Sequence, residues 1–472
     1  MDDPINATSL KKDIVFLYAV QGVSMLTSIV MSLVVPKTLS VEEFAYWQVF
    51  LLYSSYVSVT MLGIHDGIYL IEGGKTRKEV DRSDIGSQLV YAYVFQILLG
   101  LAVVVFGALF SSDERRFIFV FVGIYLVFFN IQGSLGVLFQ ALNEVRVYSK
   151  GVLILRSTFL LFLAGLLIAQ SRNSALYIGC YVTSEMLACV YALYKARDFF
   201  ECRPIPIKRA FASMRRSVSV GLKLMISSIA SMLILGVSKF AVEGNWSLAV
   251  FGEFSFAMSL TVFFCTFMIQ AAMVFFPALR KSSKSVTRTF FMKSRRILSL
   301  VLSGLYLLYF PIVLFIEAWL PQYGESLWYL GILLPICVFD GKMEICCSTL
   351  LKVFRKEKLL LGINIAAVAL ACLGAVAGLA LGSLETILLS SVVTVILRSV
   401  VSEMIIAAML HVRIVSLDTL LDCLIAIVFV GVVTCVSFER AAMIMMGVYL
   451  IIVGRYAFKT LGRSSVDGSE VG

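Results

Sequence analysis

The sequence predicts an all-α, polytopic membrane protein with about fourteen transmembrane helices. Three observations lead there: an apolar composition, long apolar runs, and an alternation of cations between the connections. Of 472 residues, 60% are apolar and 15% charged, and the mean hydropathy is +0.94. A soluble chain is about 45–50% apolar and about 25% charged. A chain of this length has too little interior to hide the excess. The three soluble domains that length alone suggests, at roughly 150 residues each, are therefore excluded.

A spanning helix takes about 20 mostly apolar residues. In order, such runs occupy residues 14–35, 44–64, 88–110, 117–142, 151–170, 175–195, 219–241, 248–276, 297–316, 326–350, 359–380, 384–409, 419–438 and 441–458. Their length and few breaks read as helices, because a lipid-facing barrel strand alternates over about ten residues. The connections are short, and none holds a sizeable soluble domain. The longest and most basic, Ala196 to Val218, follows the sixth run. Within it Ile207, Phe211, Met214 and Val218 fall at helical spacing, with Lys208, Arg209, Arg215 and Arg216 on another face. That pattern predicts a helix on the membrane surface.

The cations then fix the orientation. The net charge is +10, from 40 Lys and Arg against 30 Asp and Glu. Thirty of the cations lie in the two tails and in every second connection, from Lys11 and Lys12 to Arg455, Lys459 and Arg463. The intervening connections hold Lys37, Arg115, Arg116, Arg172 and Arg440. By the positive-inside rule both termini and the basic loops are expected in the cytoplasm. The charge is thus a topology signal, and no nucleic-acid partner is expected.

Ten cysteines show no CxxC pair, and two histidines, His65 and His411, are too few for a histidine metal site. Buried free thiols and no metal are expected. Residues Met1 to Lys12 are polar and lack the pattern of a secretory signal. No P-loop sequence is present, so ATP is not expected to drive this chain directly.

The chain divides into six runs, six runs and a final pair. The expected organisation is an N-terminal lobe at 1–200, a basic linker at 201–218, a C-terminal lobe at 219–412, and a span pair with a tail at 413–472. The halves resemble each other faintly. Ser40 to Ala45 after the first run parallels Ser247 to Gly252 after the seventh. Leu142 to Arg146 parallels Leu351 to Arg355. An even number of spans per half keeps both in the same orientation, a known transporter plan.

Several stretches resemble polysaccharide flippases. They are Pro36-Lys-Thr-Leu-Ser-Val-Glu-Glu-Phe-Ala-Tyr46, Gln140-Ala-Leu-Asn-Glu-Val-Arg-Val-Tyr-Ser149, Gly221-Leu-Lys-Leu224 and Leu320-Pro-Gln-Tyr-Gly324. Ala45 departs from the glycine usual there. Together they resemble the Wzx type of O-antigen or exopolysaccharide flippase, in the MOP exporter superfamily. The resemblance implies two six-helix lobes in a V around a central cavity, plus a C-terminal helix pair. It implies a non-enzymatic transporter in the inner membrane. Its substrate would be an undecaprenyl-pyrophosphate-linked oligosaccharide, moved to the outer leaflet by alternating access. Polysaccharide polymerase or assembly proteins are the implied partners.

Five cations fall inside the runs: Arg156, Lys223, Lys239, Lys342 and Arg398. Each costs roughly 2.5–3.5 kcal/mol at a helix centre. They are expected to line a cationic cavity for the pyrophosphate. Snorkelling of Lys223 and Lys239, or structural ion pairing of Arg156 and Arg398, is the alternative. Among the acids, Asp340 and Glu344 stand four apart and share a helix face, with Lys342 directed elsewhere. Glu403 follows Arg398 by five residues, a poor intrahelical pairing, and Glu185 lies mid-run. These four acids are candidates for coupling to H+ or Na+, or else neutralise the cations. No other cofactor is expected. Two other functions compete: an ion-coupled multidrug or metabolite antiporter of the same superfamily, and a polysaccharide polymerase or ligase. The second is disfavoured because no connection of the less basic side is large enough to bind an acceptor.

Overall fold

The structure, a computed structural model, describes residues 7–203, 205–280 and 282–467. Every predicted run is helical over most of its length, and no strand occurs among the described residues. The chain folds as two compact units, Met1–Ile229 and Ala230–Gly472. Unit 1 contains α1 (Ala7–Leu33), α2 (Val41–Ser55), α3 (Ile64–Glu72), α4 (Arg82–Phe110), α5 (Asp113–Ala141), α6 (Val145–Ile168), α7 (Ser174–Lys195) and the first part of α8 (Ile207–Asn245). Unit 2 contains the rest of α8 and then α9 (Leu248–Arg280), α10 (Lys284–Ser303), α11 (Leu305–Trp319), α12 (Gly324–Lys342), α13 (Glu357–Leu381), α14 (Leu384–Met409), α15 (Leu417–Cys435) and α16 (Phe438–Asp467).

Among the described residues eleven helices are long and apolar enough to cross a membrane, or twelve if the bent pair Val41–Met61 and Ile64–Glu72 is one span. Two of the fourteen expected runs fall outside this number. Residues 326–350 carry Asp340, Lys342 and Glu344, and α12 there widens into a π turn, Met343–Ser348. The run 441–458 extends past the residues whose side chains are described.

The second run is broken. A 3-10 turn, Val57–Met61, and two left-handed residues, Leu62 (φ 51°) and Gly63 (φ 75°), bend it by 55°. A helix broken in an apolar medium must re-pair its backbone groups. Asn130 of α5 does this, donating to the Val57 carbonyl at 3.2 Å, and it also donates to Gln96 at 2.8 Å. Gln96 in turn donates to the Thr60 carbonyl at 3.0 Å.

At the break and after it, Gly63, which precedes α3, and Gly67 within α3 meet Ser217 and Gly221 of α8. A Cβ on Gly67 would lie 1.9 Å from the Ser217 carbonyl oxygen, and one on Gly221 1.9 Å from that of Gly63. Small residues four apart let two helices touch through their backbones. Gly67→Ala should therefore cost unit 1 about 1–3 kcal/mol or more by overpacking. Gly22→Ala, where nothing lies within 4 Å, should leave stability unchanged or slightly raised. Thermal unfolding of both variants in detergent checks the contrast, and equal melting points would refute the close contact.

The basic linker differs from expectation. Residues 207–218 are helical but form no separate surface helix; they are the first turns of α8, which runs unbroken to Asn245. Met214 and Val218 pack against the unit 1 core around Leu89, Leu135, Phe139 and Phe199, so only Ile207 and Phe211 of the apolar stripe stay exposed. The boundary between units accordingly falls inside α8, after Ile229. The C-terminal pair is part of unit 2, with α15 packed on α10 and α12, and α16 on α10 and α11.

Within each unit the connections sort into two ends, as the cation alternation requires. Arg77 of the α3–α4 connection is tied at 2.5 Å to Glu144 between α5 and α6, and at 2.8 Å to Asp198 after α7. At the other end Tyr46 donates to Glu114 at 3.2 Å, and Glu43 accepts from the Ser174 backbone N–H at 2.6 Å. In unit 2, Arg288 donates to the His411 carbonyl at 3.4 Å, joining the α9–α10 and α14–α15 connections. Opposite them, Phe256 packs on Tyr323 with ring centroids 4.5 Å apart.

The faint repeat is present in the backbone. Ser40 and Ser247 each cap the helix that follows, accepting from Glu43 and Val250. Asn143 (φ 60°) and Arg355 (φ 54°) end their helices left-handed, and the next N–H reaches back to Phe139 and Leu351 respectively. Gln170 (φ 50°) and Gly382 (φ 61°) form a second such pair at the same spacing. The short match of Leu142–Arg146 to Leu351–Arg355 is thus three residues out of structural register.

Candidate functional site

The intramembrane charges collect into three groups and two lone lysines. The first group centres on Arg398 of α14. Its guanidinium is almost fully buried. It pairs with Asp340 at 3.0 Å and with Glu344 at 3.7 Å. It donates to Asn364 of α13 at 3.0 Å and to Ser231 of α8 at 3.3 Å. The side chains of both carboxylates remain 18% accessible, against 4% for the arginine. Asp340 and Glu344 do share a face, as their spacing predicts. They flank the entry to the π turn, and Thr349 donates back to the Glu344 carbonyl at 2.9 Å. π turns recur at functional positions because the extra residue re-aims side chains. Two acids on one cation leave this group one carboxylate in excess.

The second group is closed and balanced. Lys342 points away from Arg398, as expected, and meets Asp422 of α15 at 2.6 Å and Glu403 of α14 at 3.3 Å. Glu403 also pairs with Arg295 of α10 and accepts from Thr419, and Asp422 accepts from Ser299. Arg295 additionally donates to the carbonyls of Arg413 and Ile414 at 3.3 Å. Two cations and two anions, all with side chains at most 7% accessible, have satisfied one another. The expectation that Lys342 lines a cavity is corrected here, since both of its carboxylate partners hold it inside the packing. Glu403 is equally committed.

The third group lies in unit 1. Arg156 of α6 and Glu185 of α7 interact electrostatically across the α6–α7 hairpin but do not close into a direct ion pair. Glu185 is 1% exposed, and one of its carboxylate oxygens has no partner. Arg156 is half-buried and its Nε likewise lacks a partner. One turn away on each helix, Phe159 and Tyr181 join Trp47, Phe50 and Tyr125 in an aromatic cluster. Trp47 stacks on Phe159 with centroids 6.2 Å apart, and Tyr181 meets Phe159 edge-on at 5.2 Å. Lys223 is exposed on α8, and Lys239 further along that helix is half-buried, neither with an acidic partner among the described residues.

Sequence reasoning missed Arg295, Asp422, Asn364 and Ser231. Arg295 lies before the ninth apolar run, which starts at residue 297, and so counts by sequence among the cations of a connection. Helical spacing from Phe291 through Arg295 to Ser299, all buried, is the signal that extends α10 over it. Asp422 sits inside the run 419–438, and an acid there already required a partner. Asn364 and Ser231 carry no charge and give no such signal. Among the described residues no cluster of three His, Cys, Asp or Glu side chains is arranged to hold a metal ion.

No family model matches the chain, and no curated protein matches it in sequence. Solved structures do match. A lipid II flippase, MurJ, in an inward closed conformation aligns with a TM-score of 0.65 at 11% identity, over 95% of this chain and 100% of that one. An inward-facing multidrug resistance MATE family transporter of the MOP superfamily aligns with a TM-score of 0.58 at 13% identity, over 82% of this chain and 94% of that one. At such identity the likeness concerns backbone alone: this chain has the all-α polytopic membrane fold of the lipid II flippase and MATE structures.

Proposed function

We propose that this chain is a flippase for an undecaprenyl-pyrophosphate-linked oligosaccharide, an O-antigen or exopolysaccharide repeat unit. It moves this lipid by alternating access from the cytoplasmic to the outer leaflet of the inner membrane. Both termini and the basic loops lie in the cytoplasm, where assembly proteins of the polysaccharide pathway have access to them. One observation carries the reading: Arg156 is a cation inside a membrane span, half-buried, and not consumed by an ion pair. Such a charge is retained only against a cost of roughly 2.5–3.5 kcal/mol, and a phosphate is an anion whose geometry the guanidinium fork matches with two parallel hydrogen bonds. Lys223 and Lys239 are further cations without an acidic partner among the described residues, while Arg398 and Lys342 are already neutralised.

A charge-assisted contact to Arg156 contributes about 1.5–3 kcal/mol, so Arg156→Ala should cut export by about 10–100-fold. Lipid-linked sugar should accumulate in the cytoplasmic leaflet, with Arg156→Lys intermediate. Surface polysaccharide at normal levels in Arg156→Ala cells would sink the reading.

The surplus carboxylate at Arg398 favours a second reading, an ion-coupled antiporter. Asp340 and Glu344 together carry one negative charge more than Arg398 offsets, and both remain partly accessible. A proton or Na+ balances that charge in either reading, as the coupling ion of the flippase or of the antiporter.

A further inference from the structure

The Arg156–Glu185 group has an unusual incompleteness. A buried guanidinium and carboxylate ordinarily close into a bidentate pair. Here each keeps an atom without a partner, and they act on one another only through space. Burial is also unequal: Glu185 is 1% exposed, whereas Arg156 reaches accessible surface. An anion entering unit 1 thus meets Arg156 first, with Glu185 behind it.

The surroundings offer Glu185 little else. From α6 the charged group is Arg156, and from α5 the neighbouring polar group is the neutral hydroxyl of Tyr125, close to both Arg156 and Glu185. On its own helix Tyr181 lies one turn before it and Cys189 one turn after. From α2 the neighbouring aromatic cluster receives Trp47, whose Nε1 is itself without a partner. The aromatic cluster closes the same end of both helices, because α6 and α7 run antiparallel. Water is kept from that end, so charge must balance within the group.

We propose that Glu185 is a built-in counter-anion to Arg156, which a phosphate group displaces, and that Glu185 takes up one proton from water when this happens. This rests on the flippase reading, and it adds a link between loading and proton uptake. Without substrate, the guanidinium and the carboxylate balance each other. When a phosphate oxygen occupies the guanidinium, the carboxylate loses its compensation inside a medium that does not solvate charge. One O–H bond then forms on Glu185, the proton coming from the aqueous phase, and Arg156 stays charged throughout. The free oxygen of Glu185 and the free Nε of Arg156 are the two positions that this exchange needs.

The test uses the full-length protein in phosphatidylcholine nanodiscs, with farnesyl pyrophosphate as the probe. For wild type, a pH indicator should record about one proton taken up per lipid bound, beyond that taken up by the probe alone. The Kd should rise about tenfold per pH unit once Glu185 is ionised in the empty protein. Glu185→Gln should bind tightly with no proton uptake and no such slope. The ionisation of the probe is common to both proteins, so their difference is the readout. If Glu185→Gln does not fold, Glu185→Met takes its place in the same comparison. Binding without excess proton uptake overturns this inference and leaves the flippase reading standing. Absence of binding at every pH, or equal binding by Arg156→Ala, overturns both.

Discussion

Arg398→Ala is expected to be the most damaging single substitution in unit 2. It leaves Asp340, Glu344, Asn364 and Ser231 without the group on which all four converge. Removing one partner of a buried ion pair costs about 3–5 kcal/mol, chiefly because the opposite charge stays behind. Here two carboxylates stay behind, so the cost belongs at the upper end. Arg398→Lys keeps the charge but loses the fork that reaches Asp340, Glu344 and Asn364 at once, and should recover only part of the loss. The triple variant R398A/D340N/E344Q removes the stranded charges and should recover more. Thermal unfolding in detergent measures all three. A melting point for Arg398→Ala equal to wild type would mean that water already compensates the two acids, and that the arginine does not organise this group.

The Lys342 group makes a second prediction of similar size, with a built-in rescue. Lys342→Met strands Asp422, whose remaining partner is the Ser299 hydroxyl, whereas Glu403 keeps Arg295. The cost should again be about 3–5 kcal/mol. Because the group is balanced, removing Lys342 and Asp422 together restores neutrality. K342M/D422L should therefore be much more stable than either single variant, in places at the level of wild type. Asp422 comes from α15, so deleting residues 413–472 strands Lys342 in the same way as Asp422→Leu. The truncated chain should therefore unfold at a lower temperature. Double-mutant cycles on melting free energies decide the matter, and additive effects of the two single substitutions would refute a direct Lys342–Asp422 interaction.

Much of this was legible in the sequence, but unevenly. Helix positions were clear because a membrane demands about 20 apolar residues per span, and the pairing of loops into two ends followed from the cations alone. The helical period also placed Asp340 and Glu344 on one face and Lys342 on another, and it separated Glu403 from Arg398. What the period cannot give is the partner across helices. Nothing local connects Arg398 with Ser231 and Asn364, which lie in α8 and α13 and carry no charge. Arg156 and Glu185 were visible as separate oddities, and only the packing of α6 on α7 brings them within electrostatic reach of one another. Arg295 was hidden because the helix begins thirteen residues before the apolar run at 297, and the amphipathic first half of α10 reads as a basic loop until Phe291, Arg295 and Ser299 are seen on one side. The 55° break in the second run was invisible because its residues, Val57 to Met61, are as apolar as a continuous helix.

The paired left-handed residues have a consequence for ancestry. Asn143 and Arg355, and Gln170 and Gly382, occupy matching turns with no side chain in common. If the halves arose by duplication, what both copies kept is a dihedral angle and the amide that reaches back across the turn. Nearly any residue that tolerates a positive φ satisfies that requirement. Descent in such a protein is then recorded in backbone geometry while residue identities drift. A chain of this kind can take up the fold of a lipid flippase structure at 11% identity, because what the packing constrains is the course of the backbone.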